Sequence, residues 1–420
     1  MSEQAIQLSV FCIVLGAIAI LTYKKCRGES SRQADSNKEY FLAGGGLTWV
    51  FVAGSITLTN LSTDQLVGMN GNQMLLLALW ELSGFMGLLI LAKVFLPVYY
   101  RNNCTTTTEL LERRYNSKHL RALVSSMFLF INVFVFQPAV IYTGALFMIS
   151  MTGIETDLII IASALALLGA AYALLGGLRA VAVSDTYGGV LVLAMGLLIV
   201  ILSLMAIDFD FSGIPQERLT LIGGSDSPIP WQTLLTGMLF IQIFYWSTNQ
   251  TITQRAMAAP TVKEAQKGVY AAAFIRVVFI PSMVVIPGIV AFKLYGDIGD
   301  QAYGRIVGDL LPGWLSGIFA AAIAAAVLSS FNSMVNSSAA MYVCDLHEAY
   351  INESPNLRKL SGIATSFFVV IAIAMVPIYA ESDSIINLLQ ELFGLISMPI
   401  LACFTVGLLF KNVDYRAAVA

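Results

Sequence analysis

Apolar runs of about twenty residues, the length of helix that crosses a bilayer, recur from end to end of this chain. They lie near 5–23, 47–69, 73–98, 120–150, 157–177, 182–206, 232–251, 268–294, 312–342, 361–380 and 385–410. Strands of a membrane barrel would alternate polar and apolar residues at every second position, and these runs do not. Eleven transmembrane helices are therefore expected in an all-α, polytopic protein. With 57% of its 420 residues hydrophobic and 12% charged, the chain cannot be a large soluble domain. The connections 24–40, 102–119 and 208–231 are too short to hold domains of their own. The first run lacks the basic start and small-residue exit of a cleaved signal peptide, so it reads as a retained leader helix.

Basic residues orient the bundle. Of the 23 lysines and arginines, 18 fall in 24–38, 101–121, 179, 255–267, 358–359 and 411–416. These are alternate connections, so they face the cytoplasm and the N-terminus faces out. The opposite connections carry only Arg218, Arg305 and the span-end Lys293. No cysteine falls in an external connection, so no disulfide is expected. No Cys/His spacing suggests zinc, and no nucleophile elbow, phosphate loop or HExxH run suggests an enzyme.

Two runs are interrupted by polar residues. The first is Gly54–Gln65, with Asn60, Asp64, Gln65, two serines and three threonines; the second is Gln242–Gln250. An aspartate at mid-bilayer costs about 2.5–3.5 kcal/mol on insertion scales, so these side chains must face something other than lipid. After the leader helix, the interrupted runs are the first and sixth of ten. That placement points to two inverted five-helix repeats with a transport site at the midplane. The division is then 1–46 leader helix and loop, 47–206 first repeat, 207–231 external loop, 232–411 second repeat and 412–420 cytoplasmic end. Alternatively, the polar residues simply hold a buried bundle together by interhelical hydrogen bonds.

Further residues carry chemistry. The run 312–342 starts with the small residues Ala320–Ala326, which admit a neighbouring helix, and continues with Ser329 and Ser330. Their hydroxyls suit a hard cation such as sodium, or else bond back to their own helix. Glu81 is an isolated carboxylate within a span, fit to accept hydrogen bonds from solute hydroxyls, to exchange a proton, or to form a structural ion pair with Arg276. Gln390 can donate and accept, which suits sugar hydroxyls. Trp80, Tyr245 and Trp246 can stack on a sugar ring, gate it, or pack in the core.

The segments Tyr40–Gly45, Asn60–Gly68, Gly176–Ala180 through Asp185, Asn249-Gln250 through Gln254-Arg255, Glu264–Gly268 and Ser329-Ser330 resemble the sodium–solute symporter family in order and spacing. The similarity spans residues 38–411 and is strongest to the bacterial sodium–sugar, galactose-type branch. It implies a LeuT-type five-plus-five inverted repeat with one N-terminal extra helix, and sodium-driven uptake by alternating access. It also implies a sodium site at the carbonyls of Leu58, Leu61 and Ala326 and the hydroxyls of Ser329 and Ser330. Asp185 would take part in coupling or hold a second sodium. The sugar site would use Gln65, Glu81, Gln242, Arg276 and Gln390, with Tyr245 as inner gate beside Trp80 and Trp246. Three positions depart from the galactose relatives, which have Asn at Gln242, Lys at Arg276 and Ser at Gly84 (here Ser83 is adjacent). The family continues for further helices, whereas this sequence stops after the tenth core helix. The expectation is a sodium-coupled sugar symporter of a bacterial inner membrane, with the solute, sodium and the lipid bilayer as partners and no nucleic acid. A sugar acid, vitamin or amino acid is the alternative cargo, and a sensor or channel the alternative class.

Overall fold

The chain is described by a computed structural model over residues 3–26, 40–225, 227, 229–234, 236–352, 356–382 and 385–419. Among these residues regular structure is helical, apart from one isolated bridge between Gly223 and Pro230. In order, α1 is Glu3–Cys26, α2 Trp49–Asn60 and α3 Thr63–Gly71. Then α4 is Leu75–Arg101 and α5 Lys118–Thr152, and α6 is Leu158–Ala206, α7 Gly237–Ile243 and α8 Gln250–Met257. Next come α9, Val262–Val278, and α10, Ile280–Tyr295. The last three are α11, Gly313–Tyr350, α12, Leu357–Ala380, and α13, Ile385–Leu409.

Eight helical stretches among the described residues are long and apolar enough to cross a membrane, and each overlays an expected run. The other three expected runs are helical too. Those at 47–69 and 232–251 are broken, so neither half reaches spanning length. The runs at 157–177 and 182–206 are joined in the single 49-residue helical segment α6. A straight helix of that length would reach about 73 Å, more than twice the hydrocarbon thickness. Its two parts pack on the same stretch of α11. A Cβ at Gly169 would sit 2.8 Å from Phe331, and one at Gly188 would sit 3.1 Å from Ala325, six residues away on α11. Nineteen residues along α6 thus span what six span on α11, so α6 bends back between them.

Both breaks occur where polar side chains compete for the backbone. Leu61 (φ −75°, ψ 68°) and Ser62 (φ −92°, ψ 172°) leave the helix between α2 and α3. There the Ser62 N–H donates to the Asn60 carbonyl at 2.7 Å instead of to Leu58, four residues back. Asp64 in the first turn of α3 favours the helix start through its charge, and the Ser62 hydroxyl donates to its carboxylate. On the other side α7 continues through Phe244–Thr248 and ends at Asn249 (φ −66°, ψ 121°). The Asn249 side chain accepts the Thr251 N–H at 2.9 Å and so starts α8.

The axis of the bundle is α11, buried along nearly its whole length. Its alanine stretch receives α2 and α6 at close range, since Gly188 of α6 lies against both Leu58 and Ala325. The leader helix α1 sits on the outside of α11, where Gln7 Nε2 donates to Ser316 Oγ at 2.8 Å.

Candidate sodium and solute site

The break after α2 brings three helices together. Because Ser62 has turned away, the Leu58 carbonyl has lost its helical donor. The hydroxyl of Ser330 on α11 donates to it at 3.4 Å and to the Thr59 carbonyl at 3.1 Å. One turn earlier Ala326 lies on the same face of α11, inside regular helix, where its carbonyl keeps a second lone pair. Ser329 lies beside Asp185 of α6. Asp185 is buried, and its Oδ2 accepts the hydroxyl of Ser55 at 2.5 Å. The Ser329 hydroxyl and Asp185 Oδ1 are buried without a hydrogen-bond partner among the described residues. The two lie side by side, a hydroxyl and a carboxylate oxygen that interact without a hydrogen bond of ordinary length. Carbonyls, two hydroxyls and a carboxylate nearby make an all-oxygen set that fits sodium and offers nothing to a soft metal.

A second cluster spans the other side of the break. Glu81 on α4 is fully buried. Its Oε2 pairs with Arg276 Nη2 at 2.6 Å, and its Oε1 accepts Gln65 Nε2 at 3.0 Å. Arg276 on α9 also donates to the Asn60 side chain, whose Nδ2 donates to the Tyr245 hydroxyl at 2.8 Å. The guanidinium lies over the Trp246 ring, 4.3 Å from its centroid. The Trp246 indole N–H donates to Gln242 Oε1 at 2.9 Å, and Gln242 Nε2 donates to Ser83 Oγ at 2.8 Å and to the Trp80 carbonyl at 2.9 Å. Gln65, Glu81, Gln242, Arg276, Tyr245 and Trp246, chosen from sequence, thus form one continuous network. Trp80 enters it through its backbone only.

Gln390 reaches the same place by helix geometry. On α13, Ile386 packs against Gly68 and Phe393 against the ring of Tyr245 at 5.6 Å. Residues 386, 390 and 393 share one helix face, so Gln390 lies between those contacts. Its Nε2 is buried without a partner, as are Gln65 Oε1 and Arg276 Nε. The cluster therefore holds donors and acceptors beyond those its own residues satisfy, which is what a polar solute requires.

Sequence reading assigned no role to Asn60, which bridges Arg276 and Tyr245, or to Ser55, which bonds Asp185. Both lie in the polar run, but their partners are more than a hundred residues away and no local spacing signals them. Arg255 is also fully buried on α8 and donates to the Thr251 carbonyl.

Comparison with known proteins agrees with this arrangement. The chain matches the sodium:solute symporter family model over residues 40–420. It is 33% identical over 426 aligned positions to YidK of Escherichia coli K12, described as an uncharacterized symporter, covering 96% of this chain and 74% of that protein. It is 30% identical to the sodium/glucose cotransporter of Vibrio parahaemolyticus, covering 99% of this chain and 82% of that one. It is 28% identical to the mouse sodium/myo-inositol cotransporter 2, of which it spans 64%. A solved structure of a substrate-bound, outward-open Na+-coupled sialic acid symporter superposes with a TM-score of 0.84 at 19% identity, over 99% of this chain and 89% of that one. That likeness shows the fold, a LeuT-type five-plus-five inverted repeat with one extra N-terminal helix. The broken helices, the oxygen-lined meeting of α2, α6 and α11, and the family match converge: this multi-pass membrane protein belongs to the sodium:solute symporter family, with sodium as its coupling ion.

Proposed function

We propose that the protein imports a neutral, polyhydroxylated solute, a sugar or polyol, together with sodium by alternating access. The carrying observation is the network of Gln65, Glu81, Arg276 and Gln242 at the helix breaks, with its buried unpartnered donors and acceptor. Such a mixture suits hydroxyls, which both donate and accept. The glucose and myo-inositol cotransporters among its relatives carry names of the same chemical class. Gln65, Glu81, Gln242, Arg276 and Gln390 would bind the solute. Trp246 would support it through Arg276, Trp80 would flank it, and Tyr245 would close the inner side.

Sodium would be held by the carbonyls of Leu58, Leu61 and Ala326 and the hydroxyls of Ser329 and Ser330. Asp185 would contribute charge or a second sodium position, using its Oδ1. When bound, the ion supplies a positive charge that ties α2 to α11. Coupling then follows from shared structure. Leu58 and Asn60 lie on the same last turn of α2, one in the ion site and the other in the solute network, and Gln65 follows on α3. Fixing that turn orders both sites, so each ligand favours the conformation that the other binds best.

The repeat boundaries proposed from sequence, 47–206 and 232–411, each open with one of the broken helices. The membrane is read as a bacterial inner membrane with the N-terminus outside. Uptake of a panel of radiolabelled solutes into proteoliposomes, with and without a sodium gradient, tests the proposal. Sodium-driven accumulation of a neutral sugar or polyol is expected. Preference for an anionic sugar acid over every neutral one would replace this reading with carboxylate recognition by Arg276. Accumulation that ignores sodium would remove it altogether.

A further inference from the structure

Gly84 stands one turn after Glu81 on α4, at the point where that helix meets the Arg276 guanidinium. A Cβ built there would lie 2.5 Å from Arg276 Nε, 3.2 Å from Arg276 Cδ and 3.0 Å from Trp246 Nε1. Every one of these neighbours belongs to a side chain, and none to the backbone. The space beside the glycine is therefore taken by side chains, first by the planar end of Arg276 and next by the Trp246 indole. The guanidinium has no spare room. It is pinned by Glu81, by Asn60 and by the ring of Trp246, and it is 5% exposed. Its Nε is the buried atom with no partner, and it faces the space that a side chain at 84 would take.

We propose that Gly84 is a positioning and specificity-determining residue that acts through Arg276. The absent side chain lets the guanidinium lie flat between α4 and Trp246, where it holds the Glu81 carboxylate as an acceptor for a solute hydroxyl. A methyl group at 84 pushes the guanidinium off this seat and leaves Glu81 without its partner. The substrate consequence rests on the solute site proposed above; the steric link between residues 84 and 276 does not.

The test is a double-mutant cycle of Gly84→Ala with Arg276→Lys. Lysine has a tetrahedral, freely rotating carbon where arginine has its planar Nε, so it can bend past a methyl group. In the wild-type background Gly84→Ala should raise the KM for the transported solute about tenfold or more with little change in Vmax, whereas in the Arg276→Lys background the same change should cost no more than about twofold. The KM ranking of deoxy analogues should shift with it. Melting temperature in detergent, measured on the same four proteins, needs no substrate and should show the same non-additivity, so it stands even if the sugar reading falls. If Gly84→Ala alone fails to fold, recovery of a folded protein in the double variant supports the proposal, and failure of both overturns it. Equal effects in both backgrounds, or no effect in either, would also overturn it.

Discussion

Glu81 is the residue on which two interpretations met: the structure shows its ion pair with Arg276 and its bond with Gln65, and the solute role rests on the proposal above. Removing one member of a buried pair strands the other, at a cost of about 3–5 kcal/mol, while losing a charged hydrogen bond to a ligand costs about 1.5–3 kcal/mol. Glu81→Gln should therefore both weaken solute binding and lower the melting temperature. Adding Arg276→Gln should restore much of the melting temperature and none of the binding. Binding restored with stability would show that Glu81 serves the fold and does not touch solute. Ser329 and Ser330 separate differently. Ser330 bonds carbonyls of α2, whereas Ser329 lies beside Asp185 without a hydrogen bond of ordinary length. Ser330→Ala should cost about 1 kcal/mol of stability without sodium, and Ser329→Ala almost none. Each should raise the sodium requirement for uptake about tenfold, the effect of losing a ligand worth about 1.4 kcal/mol. Unchanged sodium dependence in both would remove this site. These residues were legible because a polar group in an apolar run is costly enough to demand a reason. Asn60 was visible for the same cause, yet its partners Arg276 and Tyr245 were not, since pairing across 216 and 185 residues leaves no local trace.

At the level of elements, the two broken helices were readable because hydroxyl and amide side chains compete with the helical backbone, and both runs concentrate them. The joining of two apolar runs into one bent segment, α6, was not readable, since the sequence shows the runs 157–177 and 182–206 as separate with Arg179 between them. Helix starts hold one titratable surprise. Asp300, in the connection before α11, accepts the N–H of Ile385 at the start of α13 (3.0 Å) and touches Gly71 at the end of α3. Burial pushes its carboxyl up from 3.8 to about 6. A folded-state value above the ordinary one means that the fold favours the protonated form. This contribution to stability is complete below 3.8 and is lost as pH rises through about 6. The melting temperature should accordingly fall across that window in the wild type, and the Asp300→Asn protein should lack that part of the fall. An equal slope in the two proteins would assign the pH dependence to other groups.

For the whole molecule, the alternation of basic connections makes a statement about sides, and the packing sorts the chain the same way. One end of the bundle gathers the predicted cytoplasmic segments. There Arg114 bonds the carbonyls of Gly407, Phe410 and Lys411, Tyr350 meets His119, and Arg121 joins Glu109, Glu112 and Asp345. The opposite end gathers the predicted external ones. There Arg218 bonds Asp297 and the carbonyls of Asn72 and Gln73, and Lys293 bonds Asp210. Packing fixes which segments share an end, and the charge count supplies the reason for choosing which end is cytoplasmic, since basic residues are retained on that side during insertion. Single cysteines can test the choice. Cys104, Cys344 and Cys403 are buried, so a background lacking only Cys12 and Cys26 should be silent to an impermeant maleimide. Ile222 is 62% exposed and Arg113 is exposed, each at one of the two ends. In intact right-side-out cells, Ile222→Cys should label at once and Arg113→Cys only after permeabilisation. The opposite pattern would invert the protein in the membrane. The oxygen-lined break would then face the other side first, although an inward sodium gradient would still drive import, because symport moves ion and solute in the same direction whichever way the protein is inserted.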